Sequence, residues 1–253
     1  MTARHIGITA GTAEGTALCY RMLTQRMESL LSPELQPHVT IHAVPQSWYL
    51  SLIDQGDWIG VASLMSQSAA VLARAGADTI ICPNNTLHHA FDLVVSTVPW
   101  LHIAEVVASE ARRHGYRRVG LLGTQIVMEG SMYQSKLGQR DIDTLIPDER
   151  ERDQIQHIIR TELIPGRFTD RSRSSLLQIL VEMANKGADA AILACTELPL
   201  LLTEELSPLP LLDSTRLLAQ AALTRAVSSD EPLSIEPRIV VSRSSTCNSN
   251  GGS

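Results

Sequence analysis

Lysine is nearly missing from this chain: Lys136 and Lys186 are the only two among 253 residues. Basic residues (21) are outnumbered by acidic ones (27), for a net charge of −6. That balance gives no electrostatic reason to bind nucleic acid or an anionic membrane surface. Long apolar runs are absent too. Stretches such as AAILAC and LPLLL fall far short of the ~20 residues a bilayer span requires, so no membrane helix is expected. The four cysteines, Cys19, Cys82, Cys195 and Cys247, show no CxxC or other metal or redox spacing, and no signal-peptide pattern precedes the first strand. They are expected to be free cytosolic thiols. His38 and His42 stand four apart in a stretch that reads as strand, with no third ligand nearby, so no metal is expected. Gly7, Gly11 and Gly15 do not form GxGxxG, and GTAEGT lacks the Gly-Lys-Ser/Thr ending of a phosphate loop. With 44% hydrophobic and 19% charged residues, a globular protein with small-molecule chemistry remains.

What is present is an internal echo. GADTIICPNNT begins at Gly76 and GADAAILACTE at Gly187. The same step from each glycine lands on Asn84 in the first copy and on Cys195 in the second. A second pair of landmarks keeps step, Gly11-Thr12 closing HIGITAGT and Gly123-Thr124 closing RVGLLGT. A duplicated, two-lobed chain with a thiol on one side only would read this way.

Short apolar runs alternate with helical stretches. Strands are expected at 5–11, 39–45 and 79–82, with helices at 14–31 and 57–75 and Gly76 as a helix cap. This is the alternation of a parallel α/β sheet. A second round follows, with strands at 118–123, 144–146 and 190–194 and helices at 104–114, 129–138, 149–163 and 172–186. VPWLHI (98–103) and SPLPLLD (207–213) read as crossings between lobes, and a helix at 215–227 as a return to the first. The expected division is 1–103 plus 208–227 for lobe one, 104–207 for lobe two, and 228–253 as a flexible tail by its Ser, Asn and Gly content.

In such sheets the carboxyl ends of strands face the ligand crevice, which is where Cys195 stands. Backbone N–H groups of a following helix start would lower its pKa; the bland alternative is a buried, inert thiol. Asn84, Asn85 and Thr86 occupy the matching end in lobe one, where they suit ligand contact or a Pro-Asn-Asn turn. Asn84 cannot take up or release a proton. Thr12 and Thr124 close loops whose N–H groups suit a carboxylate, or cap the helices that follow. His88, four residues past Asn84, is a possible proton carrier, with a structural histidine as the alternative. No lysine stands in this crevice, so pyridoxal phosphate is not expected.

GITAGTAEGT near the start, NTLH at 85–88, GLLGT at 120–124, ACTELPLL at 194–201 and LPLLDST before the last helix resemble the cofactor-independent aspartate/glutamate racemase superfamily over about residues 5–227. The resemblance implies two Rossmann-like lobes with parallel sheets, related by pseudo-twofold symmetry, with an amino acid held between them. It implies a homodimer, no cofactor, and two opposing thiols that work on opposite faces of the α-carbon. Cys195 and Asn84 fall at the two thiol positions, so one of the pair is replaced. Thr12, Asn85, Thr86, Thr124 and Thr196 are the substrate-binding residues it suggests, with Arg167 as a contact for a second carboxylate. Cys82, two residues before Asn84, would reach the site only by a local shift. Many relatives carry Arg in the loop that here reads VPQSWYLSL (44–52) and Lys where Ile164 stands; this chain has neither. The function implied is racemase-type isomerisation of an acidic or related amino acid. A one-cysteine decarboxylase or lyase and a non-catalytic binding protein are the alternatives.

Overall fold

A computed structural model describes residues 4–228; most of the expected tail, with Cys247, lies outside the described residues. Two parallel sheets organise the chain. The first has the order β2-β1-β3, with β1 at Ile6–Ala10, β2 at Val39–Ala43 and β3 at Thr79–Ile81. The second has the order β5-β4-β6-β7, with β4 at Arg118–Gly123, β5 at Asp143–Leu145, β6 at Ala190–Ala194 and β7 at Leu211–Asp213. The central strands β1 and β6 are buried at every position, which is why they read as unbroken apolar runs rather than alternating ones. Trp100 adds a parallel bridge to Ile80, so it sits in the first sheet where β7 sits in the second.

The first sheet is covered on both faces. On one, α1 (Ala13–Leu30) and α9 (Ser214–Val227) share a core with Ile6, Ile8 and Ile81. On the other, α2 (Gln46–Asp54) and α3 (Trp58–Arg74) pack with Ile80 and Trp100. The second sheet is buried among α4 (Ile103–Arg113), α6 (Ser131–Gly138), α7 (Glu149–Ile158) and α8 (Asp170–Asn185). A short α5 (Gln125–Glu129) follows β4.

The repeated Gly-Ala-Asp has a structural cause. Gly76 and Gly187 both adopt positive φ, 87° and 86°, just past the ends of α3 and α8. In each case the next N–H reaches back six residues' worth of turn, Ala77 to Leu72 and Ala188 to Met183, both at 3.0 Å. This is the left-handed helix stop that favours glycine. The aspartates then fasten the first strand of each sheet: Asp78 accepts from His5 N at 2.7 Å, and Asp189 from Arg117 N and Arg118 N at 2.6 and 2.9 Å.

Three sequence expectations change. Residues 44–52, read as a loop, contain most of α2; Tyr49, Leu52 and Ile53 lie on one helical face with no glycine or proline between 46 and 54. The helix expected at 129–138 is α6, and a separate short α5, not expected from the sequence, precedes it across Gly130. The chain also leaves the second sheet later than residue 208, because Leu211–Asp213 pair with Ala191–Leu193. No helix among the described residues is long and apolar enough to cross a membrane.

Candidate active site

A cavity of ≈ 460 Å³ opens at the carboxyl ends of the strands and is lined from both sheets. The first contributes Thr12, Asn84, Asn85 and Thr86; the second contributes Thr124, Cys195 and Thr196. Seven of the eight residues to which the resemblance gives a catalytic or binding place thus meet in one space. Arg167 is the exception: it is exposed, donates to the carbonyl of Thr161, and does not line the cavity. The cation on the wall is Arg160 instead, set in a π-helical turn, Ile159–Leu163, that extends α7. Such turns insert an extra residue into the helix and re-aim its side chains.

Close backbone approach shapes the floor. A Cβ on Gly11 would stand 2.6 Å from Asn84 Cβ, so only glycine lets Asn84 occupy the end of β3 beside β1. Gly15 is packed against the second lobe, where a Cβ would come within 2.9 Å of Thr196 Cγ2. Thr12 caps α1 by accepting from Gly15 N at 3.2 Å, so capping and cavity lining coexist in one hydroxyl. Thr124 precedes α5 without a side-chain cap bond; its hydroxyl lies 3.4 Å from that of Thr86, across the two lobes.

Cys195 donates its S–H to Glu197 Oε2 at 3.0 Å, and Thr196 Oγ1 donates to the same oxygen at 2.7 Å. Burial and the Glu197 carboxylate push the thiol well above its ordinary pKa, outweighing the N–H groups of Glu197 and Leu198. This reverses the expectation of a lowered value. The helical turn after β6 is only Leu198–Leu200, too short to carry much dipole, and the carboxylate two residues on acts against it. The resting site therefore holds a thiol with its acceptor in place.

Asn84 accepts from Leu87 N at 3.1 Å through Oδ1, leaving its amide N–H as what it offers a ligand. Asn85 is committed elsewhere. Its Oδ1 accepts from Tyr133 OH at 2.7 Å, its Nδ2 donates to Ser214 Oγ at 3.0 Å, and Ser214 Oγ donates to the Leu193 carbonyl at 2.9 Å. This buried chain of bonds ties the first-lobe motif to the second sheet, so Asn85 positions its neighbours more than it presents a free amide.

Two sequence candidates are placed away from the cavity. Cys82 is buried in the first lobe's core and pushed up to about 12 by burial. His88 is buried with Nδ1 2.9 Å from the Asn84 carbonyl, which requires the hydrogen on Nδ1, and its ring stacks on Phe91. Lys136 and Lys186 pair with Glu105 and Glu151 and do not line the cavity. No group of three or more His, Cys, Asp or Glu side chains among the described residues is arranged to hold a metal. Sequence reasoning missed Arg160, α2 and the partnership of Glu197 with Cys195. The last was within reach, as an acid two residues from a thiol; Arg160 carried no sequence signal.

Against known proteins, the chain matches the Asp/Glu/hydantoin racemase family model over residues 20–222. It is 27% identical over 190 residues to the broad specificity amino-acid racemase RacX of Bacillus subtilis (strain 168), covering 74% of this chain and 81% of that protein. A crystal structure from Yersinia pestis, proposed to be an Asp/Glu racemase, superposes with a TM-score of 0.84 at 29% identity, over 89% of this chain and 100% of that one. An aspartate racemase homologue from Pyrococcus horikoshii OT3 gives 0.78 at 26% identity, over the same shares. With a family model spanning most of its length and two parallel sheets enclosing a shared cavity, this chain belongs to the Asp/Glu/hydantoin racemase family.

Proposed function

We infer that the protein is an amino-acid racemase-type isomerase that moves a proton at the α-carbon, without pyridoxal phosphate, using Cys195 as acid/base. The observation that carries this reading is the Cys195 thiol, at a strand end in the interlobe cavity, hydrogen-bonded to Glu197. As acid, the thiol gives its proton to one face of an α-carbanion and becomes thiolate. As base, it first passes its own proton to Glu197 and then takes the α-proton. Charge on the substrate carboxylate is met by Arg160 together with threonine hydroxyls and the N–H groups around Thr12, Thr86 and Thr124.

Asn84, on the opposite wall, favours a second reading with one-sided chemistry. A lost carboxylate or other leaving group would generate the carbanion, and Cys195 alone would protonate it. The two readings separate in D₂O with L- and D-amino acids, Asp and Glu among them, followed by NMR of the α-proton and chiral analysis. Exchange with inversion supports racemisation; exchange with retention supports one-sided transfer. Cys195→Ala is expected to lower exchange by on the order of 10²–10⁴-fold, and undiminished exchange in that variant would remove Cys195 from the mechanism. The homodimer implied by the resemblance is checked by sedimentation of the same preparation.

A further inference from the structure

We propose that this site selects an amino acid with an aliphatic side chain and no second carboxylate. The proposal rests on the α-carbon chemistry above for its reaction and concerns what fills the rest of the cavity. Both lobes contribute aliphatic side chains to the wall: Leu50 and Ile53 from α2, and Ile126, Ile159 and Ile164 from the second lobe. Leu50, Ile126 and Ile164 are 48%, 38% and 56% exposed. A single exposed aliphatic residue is ordinary, but three from two lobes in one cavity form apolar surface that a ligand in that cavity would cover.

The charges point the same way. Glu14, Asp54 and Glu197 line the cavity against the single cation Arg160. One substrate carboxylate has Arg160 and the threonine-bearing strand ends to meet it. A second would find no other cation among the lining residues, and it would meet the half-buried Glu197 as well as the exposed Glu14 and Asp54. Ile164 stands on that wall one helical turn from Arg160, and there it contributes a branched hydrocarbon and no charge. An acidic substrate, implied by the resemblance, is the alternative this reading opposes.

The test measures α-proton exchange in D₂O for norleucine, leucine, Asp and Glu at matched concentrations, with calorimetric binding of norleucine and Glu measured separately. The expected result is a kcat/KM at least about tenfold higher for norleucine and leucine, as a few buried methylenes provide, and tighter binding of norleucine than of Glu. Ile164→Lys is expected to shift the Asp-to-norleucine ratio by about tenfold or more toward Asp. Asp or Glu exchanging as fast as the aliphatic pair would overturn the proposal while leaving the chemistry intact. Preferential norleucine binding without exchange of any amino acid would uphold the proposal and reject the chemistry. Absence of measurable norleucine binding and exchange would sink it.

Discussion

At the scale of single residues, the site turns on the pair Cys195 and Glu197. A thiol beside N–H groups would ordinarily shed its proton more easily, yet here the carboxylate that accepts the S–H also opposes a second negative charge. Glu197 thereby favours the protonated thiol, and in the proposed mechanism it is the place to which that proton goes. Replacing Glu197 by Gln removes the charge and preserves the shape. Cys195 is then expected to react faster with iodoacetamide at neutral pH, because more of it is thiolate, and slower turnover is expected for want of a proton acceptor. Peptide mapping by mass spectrometry distinguishes it from Cys247, while Cys19 and Cys82, both fully buried and pushed up to about 12, stay unlabelled. An unchanged or reduced rate for Cys195 would mean that Glu197 does not hold the thiol's proton.

At the scale of elements, the lobes are joined by exchanged helices and by a buried polar chain. Helix α4 puts Ala104, Val107, Ala108 and Ala111 into the second lobe's core, whereas α9 returns Leu218, Ala222 and Leu223 to the first. The two helices also pack on each other. Between them runs Tyr133–Asn85–Ser214–Leu193, each member satisfied by the next. Tyr133→Phe leaves Asn85 Oδ1 buried without its donor, and a loss of about 1–3 kcal/mol in unfolding free energy is expected. Denaturant unfolding measures it. A loss near zero would mean that another donor or a water takes the place of the phenol. Because Asn84 and Thr86 flank Asn85, the same variant is expected to weaken substrate binding as well.

At the scale of the whole molecule, pH acts through buried histidines that do not line the cavity. Burial depresses His88 to about 4 and His102 to about 2 from an ordinary 6.5, and their rings lie 5.0 Å apart. Neighbouring His88 and Lys136 also disfavour charge on His102. The folded protein keeps both neutral, while the unfolded chain binds protons below 6.5. Stability is therefore expected to be unaffected by these groups above that pH and to decline as pH falls from 6.5 toward 4, by up to about 1.4 kcal/mol per pH unit for each ring. Thermal unfolding across pH 4–8 checks this, and the slope is expected to shrink in His102→Asn. A melting temperature flat over that range would contradict the buried, neutral assignment.

The sequence by itself determined the two-fold α/β order, the strand ends that line the cavity and the asymmetry between Asn84 and Cys195. Those features are written in local apolar runs and in a Gly-Ala-Asp whose helix stop and strand clamp are short-range geometry. Tertiary structure alone decided the rest, because it depends on groups distant in the chain. Arg160, within the π turn, lines the cavity, and Arg167, seven residues on and past the positive-φ Gly166, does not. Asn85 is spent on Tyr133 and Ser214, 48 and 129 residues away. The charge state of Cys195 is a balance of burial, carboxylate and N–H dipoles that no motif spells out.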